Sequence, residues 1–123
     1  MATKTKGQME AEITETFVRF EKEFMGRGPT EARTYLVEDL VIVKLMGVIT
    51  RAEQQLATTG DKDRGRDLIK QTRMALIEKA RPILETAIQS ITRETVKSMH
   101  TDISTKTGER VIVFTLEKAP PSA

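Results

Sequence analysis

The segment Arg33-Thr34-Tyr35-Leu36-Val37-Glu38-Asp39-Leu40-Val41-Ile42-Val43-Lys44-Leu45-Met46 decides the fold of this chain. Two runs rich in β-branched, aromatic and aliphatic residues, 33–37 and 40–46, flank the acidic pair Glu38-Asp39, which is the pattern of a tight β-hairpin. The second run is apolar at every position except Lys44. It therefore predicts a strand with apolar residues on both faces, at the centre of a sheet.

Helical periodicity lies on both sides of this hairpin. Apolar residues recur at steps of three and four from Thr5 to Met25, which predicts one helix that ends at Gly26-Arg27-Gly28-Pro29. Thr50-Arg51-Ala52-Glu53 is a capping-box pattern and predicts a short helix. A longer helix is predicted from about Lys62 to Ile91, and Pro82 should kink or split it. The buried side of this longer helix is predicted to consist of Leu68, Ile69, Thr72, Leu76, Ala80, Ile83, Leu84, Ala87, Ile88 and Ile91.

Two further strands, 95–103 and 110–117, are predicted near the end of the chain, joined by a polar turn in which Gly108 takes a positive φ. The order α-β-β-α-α-β-β indicates the α+β class, with a four-stranded antiparallel or mixed sheet whose helices pack on one face. We predict a single domain over residues 5–118 and a disordered tail over residues 119–123. The other face of the sheet must be solvated or covered by a partner, and the apolar second strand leads us to expect a homodimer.

Composition limits the classes of function. The chain has 123 residues, a net charge of +2, one histidine and no cysteine, so we expect no disulfide, no thiolate or multi-histidine metal site and no cofactor. It has no apolar run of about 18 residues, so no membrane-spanning helix is predicted. Aromatic residues make up 4% of the chain, too few for a base-stacking platform. We expect a cytoplasmic location.

The densest group of reactive side chains lies between His100 and Arg110. His100 and Asp102 are two residues apart on a predicted strand, so they share a face, either as an imidazole base oriented by a carboxylate or as a solvent-facing pair. Ser104-Thr105-Lys106-Thr107-Gly108 lacks the order of a phosphate-binding loop. It is either a hydroxyl-rich hairpin turn or an anion site of Lys106, Arg110 and turn amides. No nucleophile completes a catalytic set, so we predict no catalytic residues and no enzyme.

Two more motifs have alternative interpretations. Gly26-Arg27-Gly28-Pro29 is either a helix stop or a place where the backbone around Arg27 approaches an anionic ligand, a partner chain or the hairpin turn. The basic stretch from Lys62 to Arg81 is either a solvated helix face or a contact for nucleic acid or anionic lipid. The element order is similar to the type II KH fold, but Gly60-Asp61-Lys62-Asp63-Arg64-Gly65 does not match its Gly-x-x-Gly loop, so we do not expect nucleic acid as the partner. The residues of the hypothetical anion site are Arg27, His100, Asp102, Lys106 and Arg110.

Several segments together resemble one protein family. They are Lys6-Gly7-Gln8, Phe20-Glu21-Lys22-Glu23-Phe24-Met25-Gly26-Arg27-Gly28-Pro29, Thr50-Arg51-Ala52-Glu53, Ala80-Arg81-Pro82 and the stretch from His100-Thr101-Asp102 to Val113-Phe114. Over nearly its whole length the chain is similar to the MpsC-like family, catalogued as the third component of a Na+-translocating membrane-potential-generating system and earlier as a bacterial domain of unknown function. The resemblance implies association with membrane components for cation and inorganic-carbon uptake, and it supplies no catalytic residues.

A chain without a spanning segment does not itself carry sodium across a bilayer. The resemblance therefore implies an accessory or regulatory domain, placed at the inner face of the membrane, that acts through protein contacts with transporter subunits. One alternative is a small-anion sensor or enzyme at the five-residue anion site. Another is nucleic-acid binding through residues 62–81.

Overall fold

The computed structural model describes residues 3–122, which form helices and a four-stranded antiparallel sheet. In chain order the elements are α1 (Lys6–Phe24), β1 (Glu31–Val37), β2 (Leu40–Met46), α2 (Arg51–Thr58), α3 (Lys62–Thr92), β3 (Val96–Ile103) and β4 (Arg110–Leu116). The predicted α+β class and element order are confirmed, and the sheet is antiparallel, not mixed. Within the described range, none of the helices has the length and apolarity that crossing a membrane requires.

The strands lie side by side in the order β1-β2-β4-β3, so the two hairpins meet through β2 and β4 at the centre of the sheet. The predicted tight hairpin between β1 and β2 is confirmed: Val37 pairs with Leu40, and Glu38 takes a φ of 56° in the turn. Two other local predictions are also confirmed, the capping box before α2 and the positive φ of Gly108. Thr50 and Glu53 form a capping box at the start of α2, and Gly108 has a φ of 74°.

One face of the sheet, which we call the inner face, packs against α1 and α3. Because side chains alternate along a strand, residues in register share a face across all four strands. One such row on the inner face runs through Leu36, Val41, Phe114 and Met99, all of them buried. From the helices, the core receives Met9, Ile13, Phe17, Phe20, Ile77, Ala80, Leu84 and Ile88.

The sequence-based description of α3 is wrong in two respects. The helix continues through Pro82, so the predicted split is wrong, because Pro82 lies on the exposed side, where the carbonyl left without a donor is not enclosed in the core. The alternative of a kink at Pro82 stays a prediction.

Ile83 is 64% exposed although it was predicted to be buried, while Arg73 lies in the core. The predicted side also included Leu68 and Thr72, which are exposed, and it omitted Ile77, which is fully buried. The prediction followed a wide helix face, whereas α3 buries one narrow stripe. That stripe consists of Gly65, Ile69, Arg73, Ile77, Ala80, Leu84, Ile88 and Thr92.

Side chains of α1 occupy the free edge of β1. The Glu10 carboxylate accepts a hydrogen bond from the Leu36 backbone N–H at 2.8 Å. The Thr14 hydroxyl donates to the Thr34 hydroxyl, also at 2.8 Å. The bond from Leu36 occupies one backbone donor of this strand edge, which makes the edge a poorer template for pairing with another chain. The faces of the sheet are therefore better placed than this edge to meet a partner.

The end of the described chain lies near the start of α1. Ala119, Pro120 and Ser122 line a shallow cleft together with Lys6 and Leu36. Ala123, the last residue of the predicted tail, lies outside the described residues. The domain limits of 5 and 118, and the disorder of the tail, stay predictions.

Candidate functional site

The sheet face opposite the helices, which we call the outer face, is apolar across its centre. Its residues are Arg33, Tyr35 and Val37 of β1; Leu40, Ile42 and Lys44 of β2; Val111, Val113 and Thr115 of β4; and Ser98, His100 and Asp102 of β3. Tyr35 is 40% exposed and Val37 50% exposed. An apolar surface that no helix of the described chain covers is typical of a protein contact site.

Charges lie at one end of this outer face. Register places Arg33, Lys44, Val111 and Asp102 in one row across the four strands. The Lys44 amine has a partner within the chain, because it lies 3.5 Å from a Glu109 carboxylate oxygen. The row therefore has a cation at the β1 edge and a carboxylate at the β3 edge, with an apolar residue and a paired lysine between them.

The inner face contains a buried charge cluster, which we define as Glu21 of α1, Glu53 of α2, Arg73 of α3 and Arg110 of β4. Arg73 binds Glu53 through two hydrogen bonds, Nε to Oε2 at 2.8 Å and Nη2 to Oε1 at 2.6 Å. Its Nη1 lies 3.4 Å from Glu21 Oε1, and its Nη2 also donates to the Val48 carbonyl oxygen at 2.7 Å. One guanidinium thus connects α1, α2, α3 and the loop that follows β2.

Burial and pairing shift the ionisation of this cluster in opposite directions. Burial raises the pKa of the Glu21 carboxyl, and the guanidiniums of Arg110 and Arg73 only partly offset that effect. Burial alone would also raise the pKa of Glu53, but hydrogen bonds from Arg73 and Thr50 bring it below its ordinary value. The two carboxyl groups, one on α1 and one on α2, therefore differ because Glu53 has close hydrogen-bond partners and Glu21 has only longer contacts.

Arg110 is the member of the cluster with the poorest partners. It is 2% exposed, and its closest ionic contact joins Nη1 to Glu21 Oε1 at 3.9 Å. Its Nε and Nη1 are buried without a hydrogen-bond partner in the described chain, as is the hydroxyl of Thr101. Burial lowers the pKa of the Arg110 guanidinium. A cavity of about 140 Å³, which we call the α3–β3 cavity, is lined by Lys70, Arg73, Met74, Thr101, Asp102, Ile103 and Arg110.

The structure divides the five predicted anion-site residues among different places. Asp102 and Lys106 line one groove of about 470 Å³, and Asp102 also lines the α3–β3 cavity with Arg110. His100 lies on the outer face, in register with Val113, whereas Arg110 lies on the inner face. Arg27 lies in the loop between α1 and β1. The five-residue site stays a prediction, and register sets two of its members on opposite sides of the sheet.

His100 and Asp102 lie on the same face of the sheet, but the contacts of the Asp102 carboxylate are with other residues. The two residues share the outer face, as expected. The Asp102 carboxylate, however, accepts a hydrogen bond from the Ile103 backbone N–H at 2.8 Å and lies 3.5 Å from the Lys70 amine. Its closest charged neighbour is therefore on α3, at the edge of the sheet.

The polar turn after β3 uses most of its own backbone donors. The backbone N–H groups of Ser104 and Gly108 donate to the carbonyl oxygens of Glu109 and Ser104, each at 2.8 Å. The N–H of Thr107 donates to the Ser104 hydroxyl at 3.2 Å. These bonds support the interpretation of the segment as a structural turn, because the same N–H groups are not free for an anion.

Acidic neighbours accompany the basic residues of the 62–81 stretch. Arg66 pairs with Asp63, and Arg81 lies 3.5 Å from Glu85 one turn further along α3. Intrahelical pairs of this kind are typical of a solvated helix surface. They favour that interpretation over a surface that tracks a phosphate backbone.

The buried charge cluster was missed because only apolar positions were counted as core. Arg73 stands in the stripe of α3 exactly one turn after Ile69, and Glu21 stands one turn after Phe17 in the stripe of α1. A charged residue inside the apolar stripe of a helix is the sequence feature that could have revealed this cluster. Two such signals of opposite sign would have suggested a buried ion pair.

Comparison with known proteins gives one family and one close relative. The profile of a family described as "Na+-translocating membrane potential-generating system (MpsC)" matches residues 5–118, a range that includes all the elements from α1 to β4. The chain is 44% identical over 113 residues to "Uncharacterized protein YbcI" of Bacillus subtilis (strain 168), and the alignment covers 92% of this chain and 89% of that protein. No solved structure matches the chain.

The two carboxyl groups of the buried charge cluster should change stability with pH in opposite directions. Because the folded chain raises the pKa of Glu21, the stability of the wild type relative to Glu21→Gln should rise as pH falls from neutral towards about 4. Because the folded chain lowers the pKa of Glu53, the stability of the wild type relative to Glu53→Gln should be lost as pH falls through that lowered pKa. Urea unfolding of the three proteins from neutral pH down to about pH 3, which is below the ordinary glutamate pKa of about 4.3, measures both slopes. Slopes of the same sign would contradict the assignment.

Proposed function

Because the chain belongs to the MpsC family of Na+-translocating membrane potential-generating systems, we propose that it is an accessory or regulatory domain that serves a membrane transport system through protein contacts. The observation that supports this proposal is the outer face, a surface of twelve register positions that is apolar across its centre and has charges at one end. The domain works in this proposal at the inner face of the membrane, in the cytoplasm. It provides a contact surface, and it contributes no reaction step.

The first occupant of the outer face in this proposal is a second copy of the chain. Sheets pack face to face at about 10 Å with their strands nearly aligned. A two-fold axis that runs along the strands between β2 and β4 places β1 of each copy over β3 of the other. In this arrangement Arg33 faces the partner's Asp102, and symmetry forms the same pair a second time. The apolar centre then closes as Ile42 faces the partner's Val113.

Two two-fold axes parallel to the sheet could bring the outer faces together, one along the strands and one perpendicular to them. Charge complementarity favours the axis along the strands. An axis perpendicular to the strands would reverse the rows and set Arg33 against the partner's Val37. That arrangement buries a cation against an apolar side chain and leaves the partner's Asp102 without a new cation. The axis along the strands pairs the charges and the apolar residues at once. The proposed homodimer is therefore face to face, with Arg33 and Asp102 at its rim.

A charge-swap experiment tests the dimer. Light scattering of the purified wild type at micromolar concentration should give the mass of two chains. Arg33→Asp should weaken association about tenfold or more, because it sets two carboxylates against each other twice. The double variant Arg33→Asp with Asp102→Arg should restore association.

Arg19→Asp is the matched control, since Arg19 lies on the exposed surface of α1 with its side chain 61% exposed. It should leave the mass unchanged. A wild type with the mass of one chain at micromolar concentration would contradict the dimer. A double variant that is no better than Arg33→Asp would contradict the proposed axis.

Association with a transport system is tested in the native host. After cross-linking in cells, a tagged chain should purify from the membrane fraction together with a protein that has transmembrane transport segments. Ile83→Asp, at a 64% exposed position of α3, should keep this association, and Arg33→Asp should lose it with the dimer. A chain that cross-links to no membrane protein would refute the accessory role and leave the dimer unaffected.

A further inference from the structure

We propose that the α3–β3 cavity is a binding site for a small carboxylate that has a short apolar tail, with Arg110 and Thr101 as the groups that hold its charged end. The site lies on the inner side of the sheet and shares one residue, Asp102 at the β3 edge, with the outer face. It does not depend on the proposed dimer or on a membrane partner.

The first support is the state of Arg110. A buried guanidinium is normally surrounded by acceptors, because an unpaired buried charge is strongly destabilising. Here the side chain is 2% exposed, and its Nε and Nη1 have no hydrogen-bond partner within the described chain. The nearest carboxylate oxygen, Glu21 Oε1, is 3.9 Å away, which is too long for a hydrogen bond. Arg110 therefore has donors available for an acceptor that is not part of the chain.

The second support is the distribution of negative charge inside the cluster. The Glu53 carboxylate is committed to Arg73 through bonds of 2.6 and 2.8 Å. Glu21 Oε1 is shared between Arg73, at 3.4 Å, and Arg110, at 3.9 Å. The close pairing thus satisfies Arg73, whereas Arg110 Nε and Nη1 and the second Glu21 oxygen, Oε2, are buried without a hydrogen-bond partner in the described chain. A ligand carboxylate next to Arg110 would supply the missing partner.

Thr101 supplies an independent donor on the same side. Register pairs Thr101 with Ile112 and Ile103 with Arg110, so Thr101 and Arg110 are diagonal neighbours on the inner face. The Thr101 hydroxyl is buried, has no partner in the described residues and lines the same cavity as Arg110. Two unpartnered polar groups from adjacent strands therefore meet at one space, which is the arrangement of a built polar site.

The size and walls of the cavity select the class of ligand. About 140 Å³ is available, whereas one water needs about 10–15 Å³ in this measure, so a molecule of several heavy atoms fits. Met74 and Ile103 line the cavity with apolar surface, which suits a short alkyl tail. Asp102 also lines the cavity, and although Lys70 lies 3.5 Å from it, its charge disfavours a dianion such as sulfate or phosphate. A short-chain monocarboxylate satisfies all three conditions.

Binding is tested on the full chain with acetate and propionate as probes, against chloride and sulfate at equal ionic strength. Acetate and propionate should raise the melting temperature with saturation at millimolar concentration, because they bind the native state. In protein labelled with ¹⁵N-arginine, the Nε–H resonance of Arg110 should move with the same saturation curve. Chloride and sulfate should produce neither effect.

Two threonine substitutions separate the site from general effects. Thr101→Val removes the hydroxyl at nearly constant shape and should weaken acetate binding about tenfold or more, because a hydrogen bond to a charged group is lost. Thr115→Val, the matched control on the outer face, should leave the affinity unchanged. Arg110→Met should abolish binding.

The wild type alone is sufficient to overturn the proposal, whether or not a variant folds. Equal effects of all four anions would identify an ionic-strength effect. The absence of any saturable shift of the Arg110 resonance would show that the cavity holds water alone. Acetate affinity that is the same in Thr101→Val as in Thr115→Val would remove Thr101 from the site and refute the assignment.

Discussion

The structure depends on the paired hydrogen bonds between Arg73 and Glu53. Two short bonds from one guanidinium to one carboxylate join the middle of α3 to the first turn of α2, and a third bond from Arg73 reaches the carbonyl oxygen of Val48. The same guanidinium lies 3.4 Å from Glu21 of α1. Burying three charged groups beside the half-buried Glu53 is unfavourable unless they pair well, so the helices have few alternative positions in which this cluster would be tolerated. The cluster thus acts as a geometric constraint on where the helices lie, and removing one of its partners would leave a buried charge uncompensated.

The two faces of the sheet have different properties as a consequence. With α1 and α3 held on the inner face, the apolar residues of β2 and β4 on the outer face remain uncovered by the helices described here. Glu10 accepts the Leu36 N–H on the free edge of β1, which disfavours strand pairing there and favours the outer face as the surface for a partner. The inner face keeps one poorly paired cation, Arg110, beside a cavity. Contact with protein and binding of a small molecule would therefore occur on opposite sides of one sheet.

Local sequence patterns predicted most of the fold. They did not predict the buried charge cluster or the true positions of the anion-site residues, because both depend on residues that are distant in sequence. The hairpin at 33–46 and the capping box at Thr50 depend on neighbouring residues, and both are confirmed. The buried charge cluster joins residues 20 and 52 positions apart, and a period counted on apolar residues does not detect it. The five-residue anion site was grouped by closeness along the chain. In the structure, the register of β3 and β4 places His100 and Arg110 on opposite faces of the sheet. The spacing of two residues on either side of a turn does not determine whether they share a face.

The most direct test of the central claim is the free energy of unfolding of Arg73→Ala, measured by urea denaturation at neutral pH against Arg19→Ala. Arg73→Ala leaves two carboxylates without their closest cation, and we expect it to lose about 3–5 kcal/mol. Arg19→Ala removes an exposed pair, with Arg19 Nη2 3.5 Å from Glu15, and should lose at most about 1 kcal/mol. Similar losses in the two variants would show that the buried charge cluster does not hold the helices to the sheet.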